Sequence, residues 1–184
     1  MRFFLPLLVL SLVGLLFPAG AQTSDAPAPP MSEFTPVLPP ERASWDLPVQ
    51  LDPKITIGKI YDFLNDPKFT KTGKDPVIKQ EFRYFNYGAV TSAEKTERKG
   101  HYYIVNFTNA GPPADLIVRM DFRQLLSRDT VNTLEVPFKN MKGTGKQRFV
   151  IAGEMYAAYG DVNSWRIAIV RDGVIVAQKK SFVW

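Results

Sequence analysis

The feature that most constrains this chain is a hairpin written into residues 164–184, SWRIAIVRDGVIVAQKKSFVW. Two runs rich in β-branched residues flank Asp172-Gly173, a dipeptide suited to a two-residue type I′ turn in which both residues take positive φ. Such a loop fixes the register. Arg171 falls opposite Val174, Ile169 opposite Val176, Ile167 opposite Gln178 and Trp165 opposite Lys180. Trp165, Ile167, Ile169, Val174 and Val176 then share one face. The other face, with Arg166, Ala168, Val170, Ile175, Ala177 and Lys179, is apolar near the turn and basic away from it. The hairpin is expected to bury the first face and part of the second, and to close the fold. Trp165, Asp172, Gly173, Phe182 and Trp184 are its structural residues.

Upstream, the period-2 pattern recurs. Val77 to Ser92 reads as a strand carrying Phe82, Tyr84, Phe85 and Tyr87, with Gly88 at a bulge. Ala93 to Gly100 reads as a charged connection. His101 to Thr108 alternates Tyr103, Val105 and Phe107 against Tyr102, Ile104 and Asn106. Asn109 to Pro113 breaks the chain. Leu116 to Gln124 sets Leu116, Val118, Met120 and Phe122 against Ile117, Arg119, Asp121 and Arg123, the pattern of a sheet with one wet face. Thr133 to Lys139 is a short strand that Pro137 places at an edge. Gly143 to Gly145 reads as loop, and Gln147 to Tyr156 as a further strand. Ile55-Thr56-Ile57 alternates like a strand, while Lys59 to Asn65 fits either a strand or one helical turn. With no long helix and about seven strands after Val77, the chain is all-β. An immunoglobulin-like antiparallel β-sandwich is the expected architecture.

The N-terminus divides differently. Met1-Arg2, an apolar run from Phe3 to Phe17 and the small residues Ala19-Gly20-Ala21 have the layout of a signal peptide, residues 1–21, cleaved after Ala21. No transmembrane anchor is expected after cleavage, because the run is short for a span. Residues 22–53 form a proline-rich linker, expected to be largely disordered, whose prolines remove the donors that a ladder or helix needs. It carries five acids against one arginine, net −4, whereas residues 54–184 carry thirteen acids against twenty-one bases, net +8. Such asymmetry lets the tail lie on the domain or lets the domain meet an anionic envelope surface, and Trp45 and Leu47 are the linker's packing anchors. Residues 54–184 are the sandwich domain, with its core in 77–184. The chain has no cysteine. That excludes disulfides, thiol chemistry and a lipidated N-terminus, and in an exported chain it points to a bacterial envelope, periplasmic or extracellular.

The run GEMYAAYGDVNSWRIAIVRDGVIVAQKKSFVW, with FRYFNYGAV and ADLIVRMDFRQ, resembles a family of small exported bacterial proteins of unknown function that end in S-F-x-W. The resemblance covers about residues 77–184 and implies the fold, because its motifs are packing and turn residues; it carries no activity.

No catalytic, cofactor or metal motif is legible. The single histidine, His101, reads as an ordinary exposed residue at a loop end, with no second histidine or cysteine to share a metal. A nucleophilic site would need Ser92 or Ser181 beside it. Asp115 with Asp121, or Glu135 with Glu154, are the carboxylate pairs available to a hydrolase. Gly143-Thr144-Gly145-Lys146 lacks the spacing of a phosphate loop. The candidate binding surface mixes aromatic and basic residues: Tyr84, Tyr87, Tyr102, Arg83, Arg98 and Lys99. Export argues against nucleic acid as its ligand. The expected function is therefore a non-enzymatic exported module that binds an envelope protein or glycan. A small outer-membrane β-barrel, suggested by the terminal Phe182 and Trp184, is the alternative, and a hydrolase with an unrecognised site is the third.

Overall fold

The computed structural model describes residues 37–38, 47–66, 75–127 and 129–184. The expected signal peptide, residues 1–21, and Trp45 lie outside the described residues. The chain runs β1 (Val37–Leu38), β2 (Ile55–Asn65), α1 (Pro76–Asn86), α2 (Ser92–Glu97), β3 (Gly100–Gln124), β4 (Asn132–Ala152), α3 (Gly153–Tyr159), β5 (Val162–Arg171) and β6 (Val174–Lys180). All-β character holds. The described strands number six and hydrogen-bond into one antiparallel sheet, where seven in two sheets were expected.

The sheet is organised by β3. Its first half, to Asn109, lies between β2 and the second half of β4. Its second half, from Leu116, lies between β5 and the first half of β4, with β6 beyond β5. The register slips between Asn109 and Leu116, where Gly111-Pro112-Pro113 interrupts regular pairing. There the sheet curls, so that Tyr103, Val105 and Phe107 from one half pack into the same core as Leu116, Val118, Met120 and Phe122 from the other. Ile55, Ile57, Leu134, Phe149, Ile151, Ile167 and Ile169 belong to the same core. The alternation read from sequence on both halves of β3 is therefore what the core uses.

The closing hairpin turns as expected. Asp172 and Gly173 have φ of 52° and 77°, the two left-handed residues of a type I′ turn. Arg171 faces Val174, and Val170 faces Ile175. The pairing then slips by one residue, so that Ile169 faces Ala177 and Ile167 faces Lys179 rather than Gln178. A bulge leaves its extra residue unpaired and locally breaks the alternation of faces. Val176 and Ala177 accordingly both enter the core. The same slip carries Lys179 to the inner side, where its Nζ donates across to the Gly58 carbonyl of β2 at 2.7 Å.

Three segments depart from the expected strands. Residues 77–86 form helix α1. Asp75 caps it by accepting from Val77 N at 2.9 Å, and Pro76 occupies a first-turn position where no intrahelical donor is needed. Its inner positions, Val77, Ile78, Glu81, Phe82 and Phe85, follow the 3.6 period, but Glu81 among them hides the pattern. The expected connection at 93–100 holds helix α2, opened by a reciprocal capping box between Thr91 and Glu94. The expected strand to Tyr156 ends at Ala152 and gives way to α3. Lys59 to Asn65, open in the sequence, is strand. Gly143 to Gly145 also lies within β4 rather than in a loop: a Cβ on Gly145 would fall 2.4 Å from the Phe107 ring, so the glycine lets that ring lie against the backbone.

The domain begins before residue 54. Gln50 N donates to Ile175 O, Ile175 N to Pro48 O and Asp52 N to Val176 O, which lays residues 48–52 parallel to the outer edge of β6. Pro48 uses only its carbonyl, so a proline-bracketed segment still makes a ladder. Asp52 accepts from Lys54 N at 2.9 Å and from Arg171 Nη1 at 3.1 Å. These contacts hold its carboxyl below the usual carboxylate range, the Lys54 amide first and then Arg171. Leu47 packs on Ala168, Val170 and Ile175. Val37 and Leu38 pair with Leu134 and Thr133. Within the linker of residues 22–53, the described residues 37–38 and 48–52 thus pair with the sheet, and Leu47 packs on it.

Candidate functional site

The aromatic-basic surface read from sequence comes together, but as a staple that holds the helices on the sheet. Tyr102 is fully buried. Its ring packs tilted against Phe85 of α1, at 4.5 Å between ring centres, and its hydroxyl donates to Arg98 O at 2.8 Å. Burial pushes its hydroxyl up to about 12. Arg98 Nη1 donates to Phe85 O and to Tyr87 O, and Lys99 pairs with Asp66 at 2.9 Å. Asn65 and Asn86 exchange amide hydrogen bonds beside them. Arg148 bonds the buried Glu81 through Nε at 2.6 Å and Nη2 at 2.9 Å, with its guanidinium over the Tyr84 ring. Only Tyr84, Tyr87 and Arg83 of the six face outward.

The side chains that a nucleophilic or carboxylate site would have drawn on are engaged in the fold. Ser181 Oγ accepts from Trp165 N at 3.0 Å, and Ser92 opens α2. His101 is half-buried rather than exposed, and its Nδ1 accepts from Val162 N at 3.0 Å. Burial lowers the His101 imidazole below its ordinary value, opposed by Asp161 and Asp62. Asp115 accepts from Asn140 N at 2.7 Å. Glu135 accepts from Arg119 Nη1 at 3.0 Å.

Arg119 and Asp121 were expected on a wet face and are buried instead. Asp121 accepts from Arg119 Nε at 2.8 Å and Thr133 Oγ1 at 2.7 Å on one oxygen, and from Arg166 Nε and Nη2 at 2.9 and 2.7 Å on the other. Asp121 stands opposite both Thr133 and Arg166 in the ladders, so pairing rather than exposure satisfies its charge. Trp184 lies over Arg123, 4.4 Å from guanidinium to ring centre, and 5.5 Å from Arg166.

Among the described residues, one end of the sheet gathers five exposed large apolar side chains. Three turns meet there: the β3–β4 turn, the α3–β5 turn and the segment after β6. Leu125 N donates to Asp161 O and Leu126 N to Tyr159 O, both at 3.0 Å, which ties the first two turns together. Gln124, buried behind them, donates its Nε2 to Gly160 O at 2.8 Å and Met155 O at 3.3 Å. Tyr156 donates to Asp161; burial first, and then that carboxylate, push its hydroxyl up to about 12. After β6, Ser181 N bonds Trp165 O, and Trp184 N bonds Ser181 O. Trp184 thereby turns inward while Phe182 and Val183 turn out. Phe182, expected to be structural, is fully exposed. Leu125, Leu126, Tyr159, Phe182 and Val183 are 45–103% exposed.

Turns ordinarily carry Gly, Asn, Asp and Ser, as the Asp172-Gly173 turn at the opposite end does. No family model matches the chain, and no curated protein matches it. A crystal structure from Akkermansia muciniphila shares 13% identity over 71% of this chain and 73% of that one, with a TM-score of 0.41, and carries nothing over to this chain. Sequence reasoning missed this end because its residues lie in three separate turns. The signal available was Leu125-Leu126 between a strand and a turn, an unusual place for two leucines.

Proposed function

We propose that the chain is a non-enzymatic exported module that docks on an envelope protein through the apolar end of its sheet. The observation that carries this is the exposure of five bulky apolar residues, three in two turns bonded to each other and two in the segment that Trp184 anchors over Arg123. Contiguous apolar surface rimmed by polar groups marks interaction sites. The two halves of the curled sheet serve as the two layers of an immunoglobulin-like sandwich, a fold that commonly binds through the turns at one end. The inward packing of Phe107, Phe122 and Phe149, with Lys142 and Lys146 outward, supports a water-facing module over an outer-membrane barrel, which turns apolar residues toward lipid. The Arg119–Asp121–Arg166 network occupies one of the carboxylates that a hydrolase would need.

The test is crosslinking in native envelopes with wild type and the triple variant Leu125→Ser, Leu126→Ser, Phe182→Ser. The substituted side chains are exposed, so folding is expected to survive. Wild type is expected to capture a discrete protein that the triple variant loses. Equal capture by both, or retention on glycan or lipid vesicles with no protein captured, overturns the reading.

A further inference from the structure

A second surface lies away from the apolar end, on the outer edge of β4. One edge of this 21-residue strand pairs with β3 from Asn132 to Ala152. On the other edge, among the described residues, only Val37 and Leu38 pair, at Leu134 and Thr133. An unpaired edge of this length presents backbone donors and acceptors that template the addition of another strand. Natural edges are blunted by proline, bulges and charge, and here the defence is partial. Pro137 and the register slip near Met141 interrupt the first part. From Gly143 to Ala152 the pairing with β3 is regular, residue for residue.

We propose that this stretch receives an extended acidic segment of another protein, added as a strand. Three observations favour that occupant. β1 shows that the edge already accepts an extended segment in antiparallel register. The strand is basic: Arg119 holds Glu135, the one acid of the strand, and Glu81 of α1 pairs with Arg148 and Lys146, which leaves the charges of Lys139 and Lys142 uncompensated among the described residues. Lys139, Lys142 and Lys146 are exposed beside the edge. Strand addition draws affinity from main-chain bonds and specificity from the side chains that alternate beside them. The chain's own leader does not fit a long register, because Pro36, Pro39 and Pro40 bracket Val37 and Leu38.

The probes are two peptides of about ten residues, one alternating Glu and Val and one alternating Lys and Val. Binding is read by fluorescence anisotropy, and amide exchange is followed through residues 143–152. The acidic peptide is expected to bind, to slow exchange in that stretch, and to lose about tenfold affinity in Lys139→Glu/Lys142→Glu. That double variant should gain affinity for the basic peptide. Equal binding of both peptides, unchanged exchange across 143–152, or concentration-dependent self-association through this edge would each overturn the proposal. Because the serine variant at the apolar end leaves this edge intact, failure of one surface is distinguishable from failure of the other.

Discussion

Asp121 receives two hydrogen bonds from Arg166 on a single carboxylate oxygen, at 2.9 and 2.7 Å, across the β3–β5 ladder. Both side chains lie almost wholly out of water, and Arg119 holds the other oxygen. Removing the carboxylate would strand two guanidiniums.

Asp121→Asn is therefore expected to destabilise the domain by about 3–5 kcal/mol, because breaking a buried pair leaves uncompensated charge. Replacing Arg119, Asp121 and Arg166 together by Met, Leu and Met should recover much of that loss, since well-packed apolar groups need no partner. Urea unfolding of the two variants checks the order. A triple variant less stable than Asp121→Asn would show that the network contributes more than charge compensation.

Glu81 and Arg148 predict an asymmetry. Glu81 is nearly fully buried, whereas about a third of Arg148 reaches solvent. Glu81→Leu leaves an arginine that water can solvate, and is expected to cost under about 1 kcal/mol. Arg148→Met leaves a buried carboxylate with only Lys146 at 3.4 Å, and is expected to cost about 2–4 kcal/mol. Equal thermal shifts would contradict this.

His101 should make stability depend on pH. Its Nδ1 accepts from Val162 N, so protonation must break that bond. Its folded value lies below the ordinary 6.5. The unfolded chain thus binds the proton first, and stability falls as pH drops below about 6.5, by at most about 1.4 kcal/mol per unit. Asp62 of β2 and Asp161 before β5 face the ring and limit the effect, and Tyr103 and Tyr156 flank it. His101→Asn keeps an acceptor for Val162 without titrating in this range, so the difference between it and wild type isolates the imidazole. An unchanged difference from pH 7.5 to 5 would refute the assignment. His101→Ala should cost about 1 kcal/mol at neutral pH, because the Val162 amide loses its acceptor.

Gly173→Val is expected to cost about 1–2 kcal/mol, since its φ of 77° is poorly tolerated by a β-branched residue. Trp165 is only partly buried and meets Tyr103 edge-on at 6.0 Å. Trp165→Ala is thus expected to cost about 2–3 kcal/mol, below the range for a fully buried indole. Denaturant midpoints of both variants provide the measurement.

What could be read from the residues depended on whether the signal was local. Asp172-Gly173 fixes a turn from two residues, and the alternation in 101–108 and 116–124 found the core faces of β3. The bulge beside Val176 has no local signature, and it moved the pairing of Lys179. α1 was missed because its buried Glu81 is paid for by Arg148, 67 residues away. Asp75-Pro76 and the Thr91–Glu94 box were helix starts written in plain view. Arg119 and Asp121 looked solvent-facing because a strand's pattern does not show what faces it across a ladder. The apolar end needed three distant turns to be assembled before it existed.

The pairing of residues 48–52 with β6 joins segments more than 120 residues apart in the sequence. During synthesis, Gln50 and Asp52 emerge long before Ile175, Val176 and Arg171, the groups they bond. The sheet therefore has no way to close while the C-terminal hairpin is still missing. Until then residues 48–52 lack the strand they pair with, and the core lacks Ile167, Ile169, Val176 and Ala177. For a chain that crosses a membrane unfolded, as the proposed export requires, this order of events delays the native state until the β5–β6 hairpin has crossed. The same order would make the translocating chain dependent on whatever shields its early strands.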